Sequence, residues 1–253
     1  MPILALLVIL CQVACGLHVV RSGQERSWLY LIIALPGLGC LIYGLGVMLP
    51  EMLGSRNGRR AVSRVQDKLD PERTLRALRD EVSVGDTPQN RALLGDELLR
   101  LGRAEEAANQ YQQALRGVHA QAPELLLNLA RAEFAQGHAG QCRATLERLI
   151  EHNPQYRSAD GHLLYARALS QVGETSKAED EFRALIESFA GPEARYHYAQ
   201  LLMQQGRAVE SRQLLEQIEA YARRAPRYYR NLHKPWLALT RQALQDLSRP
   251  PSS

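Results

Sequence analysis

Residues 94–115 read LGDELLRLGRAEEAANQYQQAL, and residues 129–150 read LARAEFAQGHAGQCRATLERLI. Each stretch contains a large and a small residue, then a central glycine, then a second small residue and a bulky one, all at matching positions. The same pattern returns around Gly173 and Gly206, so the four central glycines, Gly102, Gly137, Gly173 and Gly206, are 35, 36 and 33 residues apart. This spacing predicts an internal repeat in which each unit is a pair of helices.

The repeated positions have a physical explanation. Two helices cross closely where one of them carries a small residue and its partner carries a bulky one. A glycine between the helices allows the positive φ of a tight turn. The small residues of the second helix are Ala107, Cys142, Ala178 and Ser211, and the bulky ones are Tyr111, Leu146, Phe182 and Leu215.

Because the same pattern recurs in all four units, residues 88–223 resemble the tetratricopeptide-repeat (TPR) family. Pro154 stands where that family has its helix-ending proline, whereas Arg91 and His119 replace its frequent tryptophan and its closing proline in the first repeat. The resemblance implies an all-α solenoid of about four repeats. We expect a capping helix over residues 71–87, started by Asp70-Pro71-Glu72, and a closing helix over residues 224–247 that contains Trp236. Residues 248–253 are expected to form a disordered tail.

Residues 1–50 differ from the rest of the chain, since Arg21, Glu25 and Arg26 are their only charged side chains. Two uncharged runs, residues 2–20 and 27–50, predict two transmembrane helices joined as a hairpin. Trp28 and Tyr30 lie where an interfacial aromatic belt is expected. Basic residues dominate the linker 51–70, which by the positive-inside rule places the repeats in the cytoplasm of a bacterial inner-membrane protein.

The segment His18-Val-Val-Arg21, Trp28 and Pro36-Gly-Leu-Gly39-Cys-Leu-Ile-Tyr43 resembles the N-terminal membrane region of bacterial cardiolipin synthases. Those enzymes carry His-x-Lys motifs, and none occurs in this chain. The resemblance therefore implies a shared anchor without the shared chemistry. The anchor's expected membrane residues are Trp28, Tyr30, Pro36, Gly39 and Tyr43. Its glycines favour either packing within the hairpin or self-association.

Composition argues against several function classes. The 31 basic and 27 acidic residues are interleaved, so we expect no nucleic-acid partner. Cys11, Cys15 and Cys40 lie in apolar runs and Cys142 is alone in the repeats, which leaves no disulfide framework. Scattered histidines and the lack of a phosphate-binding loop indicate a non-catalytic protein without a cofactor or a metal site.

The first helices of the repeats are expected to line a groove for a protein or peptide partner. Extrapolated from the TPR register, the groove residues are Asp96, Leu99, Leu127, Asn128, Arg131, Phe134, Leu163, Arg167, Tyr196, Gln200 and Met203. Arg131 and Arg167 occupy equivalent positions and either grip an anion or pair with Glu124 or Asp160. Asn128 alone matches the clamp of chaperone-binding TPR domains, so we do not expect their acidic peptide to bind.

These observations predict a membrane-anchored adaptor or scaffold that mediates protein–protein interaction. The alternative is a regulatory or assembly factor for phospholipid or envelope synthesis that acts through the hairpin. The expected partners are a protein or peptide in the groove and the lipid bilayer. A third hypothesis is a scaffold that self-associates through the membrane helices.

Overall fold

A computed structural model describes residues 2–22, 25, 27–35, 37–55 and 70–248. The chain divides into two compact units, residues 1–73 and 74–253. Most of the predicted linker 51–70, nearly all of the predicted tail 248–253 and the expected membrane residue Pro36 lie outside the described residues.

The N-terminal unit consists of helices that are mostly short. Helix α1 runs over Pro2–Ser22, α2 over Ser27–Ala34, α3 over Leu38–Tyr43 and α4 over Leu49–Gly54, with a π-helical turn at Gly44–Met48. The second predicted span, residues 27–50, is therefore not one continuous helix, and α2 covers only about 12 Å of the roughly 30 Å of hydrocarbon. Across the described residues, no helix combines the length and apolar character that crossing a bilayer requires. The predicted transmembrane hairpin is not supported.

The break between α2 and α3 follows from residues 36 and 37. Proline at position 36 has no N–H, so the Ile32 carbonyl cannot accept a helical bond from it. The side chain of Gln12 donates to that carbonyl instead, at 2.8 Å. Gly37 has a φ of 84°, and a Cβ added to Gly39 would lie 2.4 Å from the Leu31 carbonyl oxygen. The chain therefore reverses direction here only because glycine occupies positions 37 and 39.

A small core holds the N-terminal unit together. Tyr43 is fully buried, and its hydroxyl lies 2.9 Å from Nδ1 of His18. The Trp28 ring meets the Tyr43 ring edge-on at 5.5 Å between centroids. His18 is thus a partner of the aromatic core.

Residues 88–224 form four successive helix pairs. The first helices of the pairs, called A helices here, are α6 (Pro88–Arg100), α8 (Pro123–Ala135), α10 (Ala159–Gln171) and α12 (Glu193–Gln204). The second helices are α7 (Ala104–Ala114), α9 (Ala139–His152), α11 (Thr175–Ser188) and α13 (Ala208–Arg224). A short 3₁₀ turn, Gly117–His119, precedes α8.

The four central glycines close the A helices in one shared geometry. Their φ angles are 77°, 82°, 83° and 77°, in chain order. In each case the amide after the glycine donates to the carbonyl five residues earlier, as Arg103 does to Leu98 at 2.8 Å and Arg207 does to Leu202 at 2.9 Å. This is a Schellman motif, which satisfies carbonyl groups that the helix end leaves free. The predicted role of the glycines is confirmed.

The small and bulky positions meet in the core as the repeat pattern predicts. Ala107, Cys142, Ala178 and Ser211 are all fully buried. A Cβ added to Gly95 would lie 2.7 Å from the Tyr111 ring, so the first pair crosses with no room for a methyl group. Burial of the apolar side chains at these crossings stabilises the stack at about 25 cal/mol per Å² of apolar surface removed from water.

Two further segments flank the four pairs. Helix α5 (Arg73–Val84) buries Leu75 against the first pair, and Thr87 then caps α6 by accepting a bond from the Asn90 amide at 3.1 Å. The closing segment was predicted as a single helix within residues 224–247. It is two helices, α14 (Arg227–Leu232) and α15 (Lys234–Ser248), and the break at His233 corrects that prediction. Nδ1 of His233 lies 3.1 Å from the Glu193 carboxylate, which ties the break to the start of α12.

Candidate partner-binding groove

The A helices of successive repeats lie side by side. Neighbouring A helices contact one another from α6 through α12, so their exposed sides together make one continuous face. Successive helix pairs of this kind curve into a superhelix whose concave side is lined by the A helices. We call this surface the A-helix face and describe its two halves separately.

The first half of the A-helix face is a chain of polar side chains that satisfy one another. Asp96 accepts a hydrogen bond from the Tyr111 hydroxyl at 2.6 Å and from the Asn128 amide at 3.2 Å. Arg131 donates to Asn128 at 2.9 Å and lies 3.8 Å from the Asp160 carboxylate. These bonds link the first three repeats. Arg131 therefore already has partners within the chain.

The second half of the A-helix face contains a different kind of arginine. The Arg167 guanidinium lies over the Phe134 ring, 4.5 Å from its centroid, in a cation–π contact. Within residues 70–248, the structure pairs no carboxylate with it. Burial lowers the pKa of Arg167 from its usual range, although a guanidinium stays protonated in proteins. The result is a half-buried cation for which the described residues supply no counter-ion.

A small cavity of about 130 Å³ adjoins this arginine. It is lined by Arg167, Ser170, Gln171, Phe182, His197, Gln200, Leu201 and Gln204. The hydroxyl and amide groups of this lining supply hydrogen-bond donors around a single positive charge. Such a set of donors suits an anionic oxygen ligand such as a carboxylate.

His197 is the second unpaired polar group of this half. Its Nε2 atom is buried and has no hydrogen-bond partner among the described residues. Burial, together with the nearby charge of Arg167, lowers the pKa of His197 to about 4. The imidazole is therefore neutral at pH 7, and Arg167 is the cation at this site. The rings of Tyr196 and His197 pack on Trp236 of α15, at 5.6 and 5.2 Å between centroids.

The predicted groove residues fall into three groups. Asp96, Asn128, Arg131, Arg167 and Gln200 reach the A-helix face, where their polar groups are described above, and Phe134 supports Arg167. Leu127 and Leu163 are instead buried in the core, at 2% and 8% exposure, because the A helices pack on both neighbouring repeats there. Leu99, Tyr196 and Met203 are partly buried at the edge of the same face.

Two contributors were missed from the sequence. His197 lies one position after Tyr196, and its spacing to Gln200 and Gln204 is that of one helical face. That spacing was the signal that could have identified it. Trp236 comes from the closing helix, outside the repeat pattern, so no register could place it.

A larger and mainly apolar cleft of about 390 Å³ lies elsewhere, among α8 to α11. Tyr156 and Ile150 line it, as does His162, whose Nε2 atom lies 2.5 Å from the Glu181 carboxylate. The repeat pattern predicts no role for these residues beyond the core and its rim. Their contacts point to no particular ligand.

The comparison with protein families decides what kind of repeat this is. Tetratricopeptide-repeat models match residues 98–161 and residues 163–228. These two segments are tetratricopeptide repeats. The matches begin and end inside the four helix pairs and the start of the closing segment, so the TPR array is the all-α stack described above.

Solved TPR structures share this fold. A thermophilic TPR protein of Thermus thermophilus superposes with a TM-score of 0.53 at 20% identity, over 68% of this chain and 89% of that one. MamA from Desulfovibrio magneticus RS-1, residue 41 to its end, gives a TM-score of 0.55 at 14% identity, over 65% and 93%. At these identities the likeness concerns the TPR fold.

One curated relative is similar in sequence. Cellulose synthase operon protein C of Komagataeibacter sucrofermentans is 29% identical over 116 residues, which are 43% of this chain and 8% of that protein. The chain thus spans less than a tenth of that relative's length.

Proposed function

We propose that the TPR array is a protein-binding adaptor whose A-helix face holds an acidic group of its partner at Arg167. TPR arrays present concave surfaces to extended peptides and helices, which supports an interaction role in general. The observation that carries the specific proposal is the half-buried Arg167 guanidinium, which has no carboxylate partner in residues 70–248.

The contrast with Arg131 supports this choice of anchor. Arg131 is the equivalent residue one repeat earlier, but Asn128 and Asp160 already engage it. A ligand there would have to displace an ion pair, whereas a carboxylate at Arg167 meets a free charge. Phe134 holds the guanidinium in place, so little side-chain entropy is lost when the ligand binds.

Photo-crosslinking tests the proposal. A photoreactive phenylalanine analogue replaces Gln200, which lines the cavity, and in a second protein it replaces Gln213, which is exposed on α13. We expect a discrete partner to crosslink from position 200 and not from position 213. Mass spectrometry of the crosslinked peptide then identifies the bound segment, which should contain a side-chain or terminal carboxylate.

The captured segment, made as a synthetic peptide, provides the quantitative test. A charge-assisted hydrogen bond contributes about 1.5–3 kcal/mol, so Arg167→Gln should weaken binding by roughly 10–150-fold. Arg223→Gln removes the same charge from an exposed position on α13 and should leave the affinity unchanged. Equal affinities of the wild type and Arg167→Gln, with correct folding by circular dichroism, would refute the role of Arg167.

We further propose that the N-terminal unit associates with a lipid bilayer, in line with the predicted location at a bacterial inner membrane. The observation that favours this is its exposed apolar surface. Large side chains on α1 and α3 are about half exposed, among them Leu10, Leu17 and Leu41 at 59%, 54% and 57%. Contiguous apolar surface of this kind marks interaction sites.

Flotation with vesicles of phosphatidylethanolamine and phosphatidylglycerol tests this second proposal. The full chain should float with the vesicles, and Leu17→Glu with Leu41→Glu should leave it in the dense fraction. The matched control places the same two charges at Val84 and Val118, which are 91% and 95% exposed in the other unit. If the variant with Leu17→Glu and Leu41→Glu still floats with the vesicles, the proposal is refuted.

A further inference from the structure

Three of the four cysteines converge in the N-terminal unit. Cys11 and Cys15 are four residues apart on α1, a spacing that places both side chains on one side of the helix. Cys40 comes from α3. The three sulfur atoms all lie within 4.8 Å of one another.

The fold provides a reason for Cys40 to lie there. Gly39 allows α3 to fold back against the backbone of Leu31 and Ile32. Gln12, next to Cys11, bonds to the Ile32 carbonyl at 2.8 Å and so ties α1 to the end of α2. Gly39 precedes Cys40 and Gln12 follows Cys11, so each of these contacts lies next to a cysteine of the cluster. The sulfur cluster is therefore held by three packed helices.

We propose that Cys11, Cys15 and Cys40 form a binding site for a soft metal ion in a three-sulfur environment, with Cu(I) as the ion that suits it. Thiolate sulfur is a soft ligand that selects Cu(I), zinc and iron–sulfur clusters. In the described part of the chain, no histidine or carboxylate joins the cluster. Structural zinc takes four protein ligands, whereas Cu(I) accepts three sulfurs, which is the number present.

The distances are compatible with such a site. A metal–sulfur bond of about 2.3 Å places three sulfurs of a planar triangle about 4.0 Å apart. Sulfurs that lie within 4.8 Å of one another reach that triangle by moving about half an ångström each or less. Each thiol that binds the ion releases its proton to the solvent, and no electron is transferred.

Access and shielding are also suitable. Cys11 is exposed, whereas Cys15 and Cys40 are 7% and 5% exposed. An ion can therefore enter beside Cys11 and bind sulfurs that water does not reach. Val19, Ile32 and Tyr43 surround the two buried thiols, and this apolar shell favours a soft ion over a strongly hydrated one.

The test is an anaerobic titration of the reduced full-length chain with Cu(I), in competition with the chelator bicinchoninate. We expect one tightly bound Cu(I) per chain and a copper K-edge absorption spectrum fitted by three sulfur neighbours. Cys11→Ser, Cys15→Ser and Cys40→Ser should each lower the affinity by more than about 100-fold. Because Cys11 is exposed, its variant keeps the test valid even if a buried serine disturbs the unit.

Cys142→Ser is the matched control. Cys142 is a buried cysteine of the TPR array, and the fourth repeat carries a buried serine, Ser211, at the equivalent position. The control should bind Cu(I) with the wild-type affinity. Any of three results overturns the proposal. The absorption spectrum is fitted by two sulfur neighbours, the affinity for Cu(I) is unchanged in all three cysteine-to-serine variants of the cluster, or the affinity is lost in Cys142→Ser.

Discussion

Gly95→Ala adds one methyl group where the first helix pair crosses, and its effect on stability can be derived from the structure. The new Cβ would lie 2.7 Å from Cε1 and 2.8 Å from Cζ of Tyr111. The ring cannot move aside easily, since it is fully buried and its hydroxyl donates to Asp96 at 2.6 Å. Either the ring or the helix must shift.

Two opposing effects set the magnitude. Overpacking of a well-packed core costs about 1–3 kcal/mol. Alanine in place of a helical glycine recovers up to about 1 kcal/mol of helix propensity. We therefore expect Gly95→Ala to lower the free energy of unfolding by up to about 2 kcal/mol, which for a unit of this size lowers Tm by up to roughly 8 °C.

Urea denaturation followed by circular dichroism at 222 nm measures this change. Gly140→Ala is the control, because Gly140 is exposed on α9 and an added Cβ has no neighbour within 4 Å. It should stabilise the chain by up to about 1 kcal/mol. A second control repeats Gly95→Ala in a Tyr111→Leu background, which creates the alanine–leucine pair that Ala130 and Leu146 form in the second repeat. There the added methyl group should be harmless.

The opposite signs of Gly95→Ala and Gly140→Ala are the decisive comparison. If both changes stabilise the chain equally, the first pair has room at this crossing and the packing argument is wrong. If Gly95→Ala is equally destabilising with leucine at position 111, the cause lies in the backbone and not in the tyrosine ring.

Three further predictions concern other buried or capping groups. The pKa of His197 is about 4 in the folded chain and about 6.5 in the unfolded chain, so the folded state loses up to about 3 kcal/mol of stability as the pH falls from 6.5 towards 4. Urea denaturation of the wild type and of His197→Gln at each pH measures this. The difference between their free energies of unfolding should fall with the pH over that range. Ser211→Ala removes a buried hydroxyl that has no hydrogen-bond partner among the described residues, so it should raise the free energy of unfolding by up to about 1–2 kcal/mol. A loss of stability would mean that the hydroxyl does make a hydrogen bond. Thr87→Ala removes the N-cap of α6 and should cost about 1 kcal/mol in thermal unfolding, whereas Thr87→Ser should cost little.

The fold of the repeats could be predicted from sequence because their signals are local and recur four times. The central glycines fix the turns, and the small and bulky positions fix the crossings, so neither depends on distant parts of the chain. The N-terminal unit lacks this redundancy. Residues 27–50 were expected to form one transmembrane helix, but the geometry of Gly37 and Gly39 reverses the chain within that span.

The candidate groove could be predicted only in part for a related reason. The TPR register brought Arg131 and Arg167 to the same face, but it could not tell them apart. The difference lies in their neighbours. Asp160 reaches Arg131 from the next repeat, whereas Arg167 lies over the Phe134 ring and has no carboxylate partner in residues 70–248. Such pairings depend on side-chain positions between repeats. The same limit applies to Cys40, which the sequence places only in an apolar run. The chain reversal brings it next to two other thiols.

The packing of Trp236 against His197 makes the closing helix an optical reporter for the A-helix face. The chain contains two tryptophans, and the other, Trp28, belongs to the N-terminal unit. In a Trp28→Phe variant, the indole emission would therefore come from a ring 5.2 Å from the imidazole that borders the Arg167 cavity. Binding of an acidic peptide could then be followed by fluorescence alone, without a label attached to either molecule.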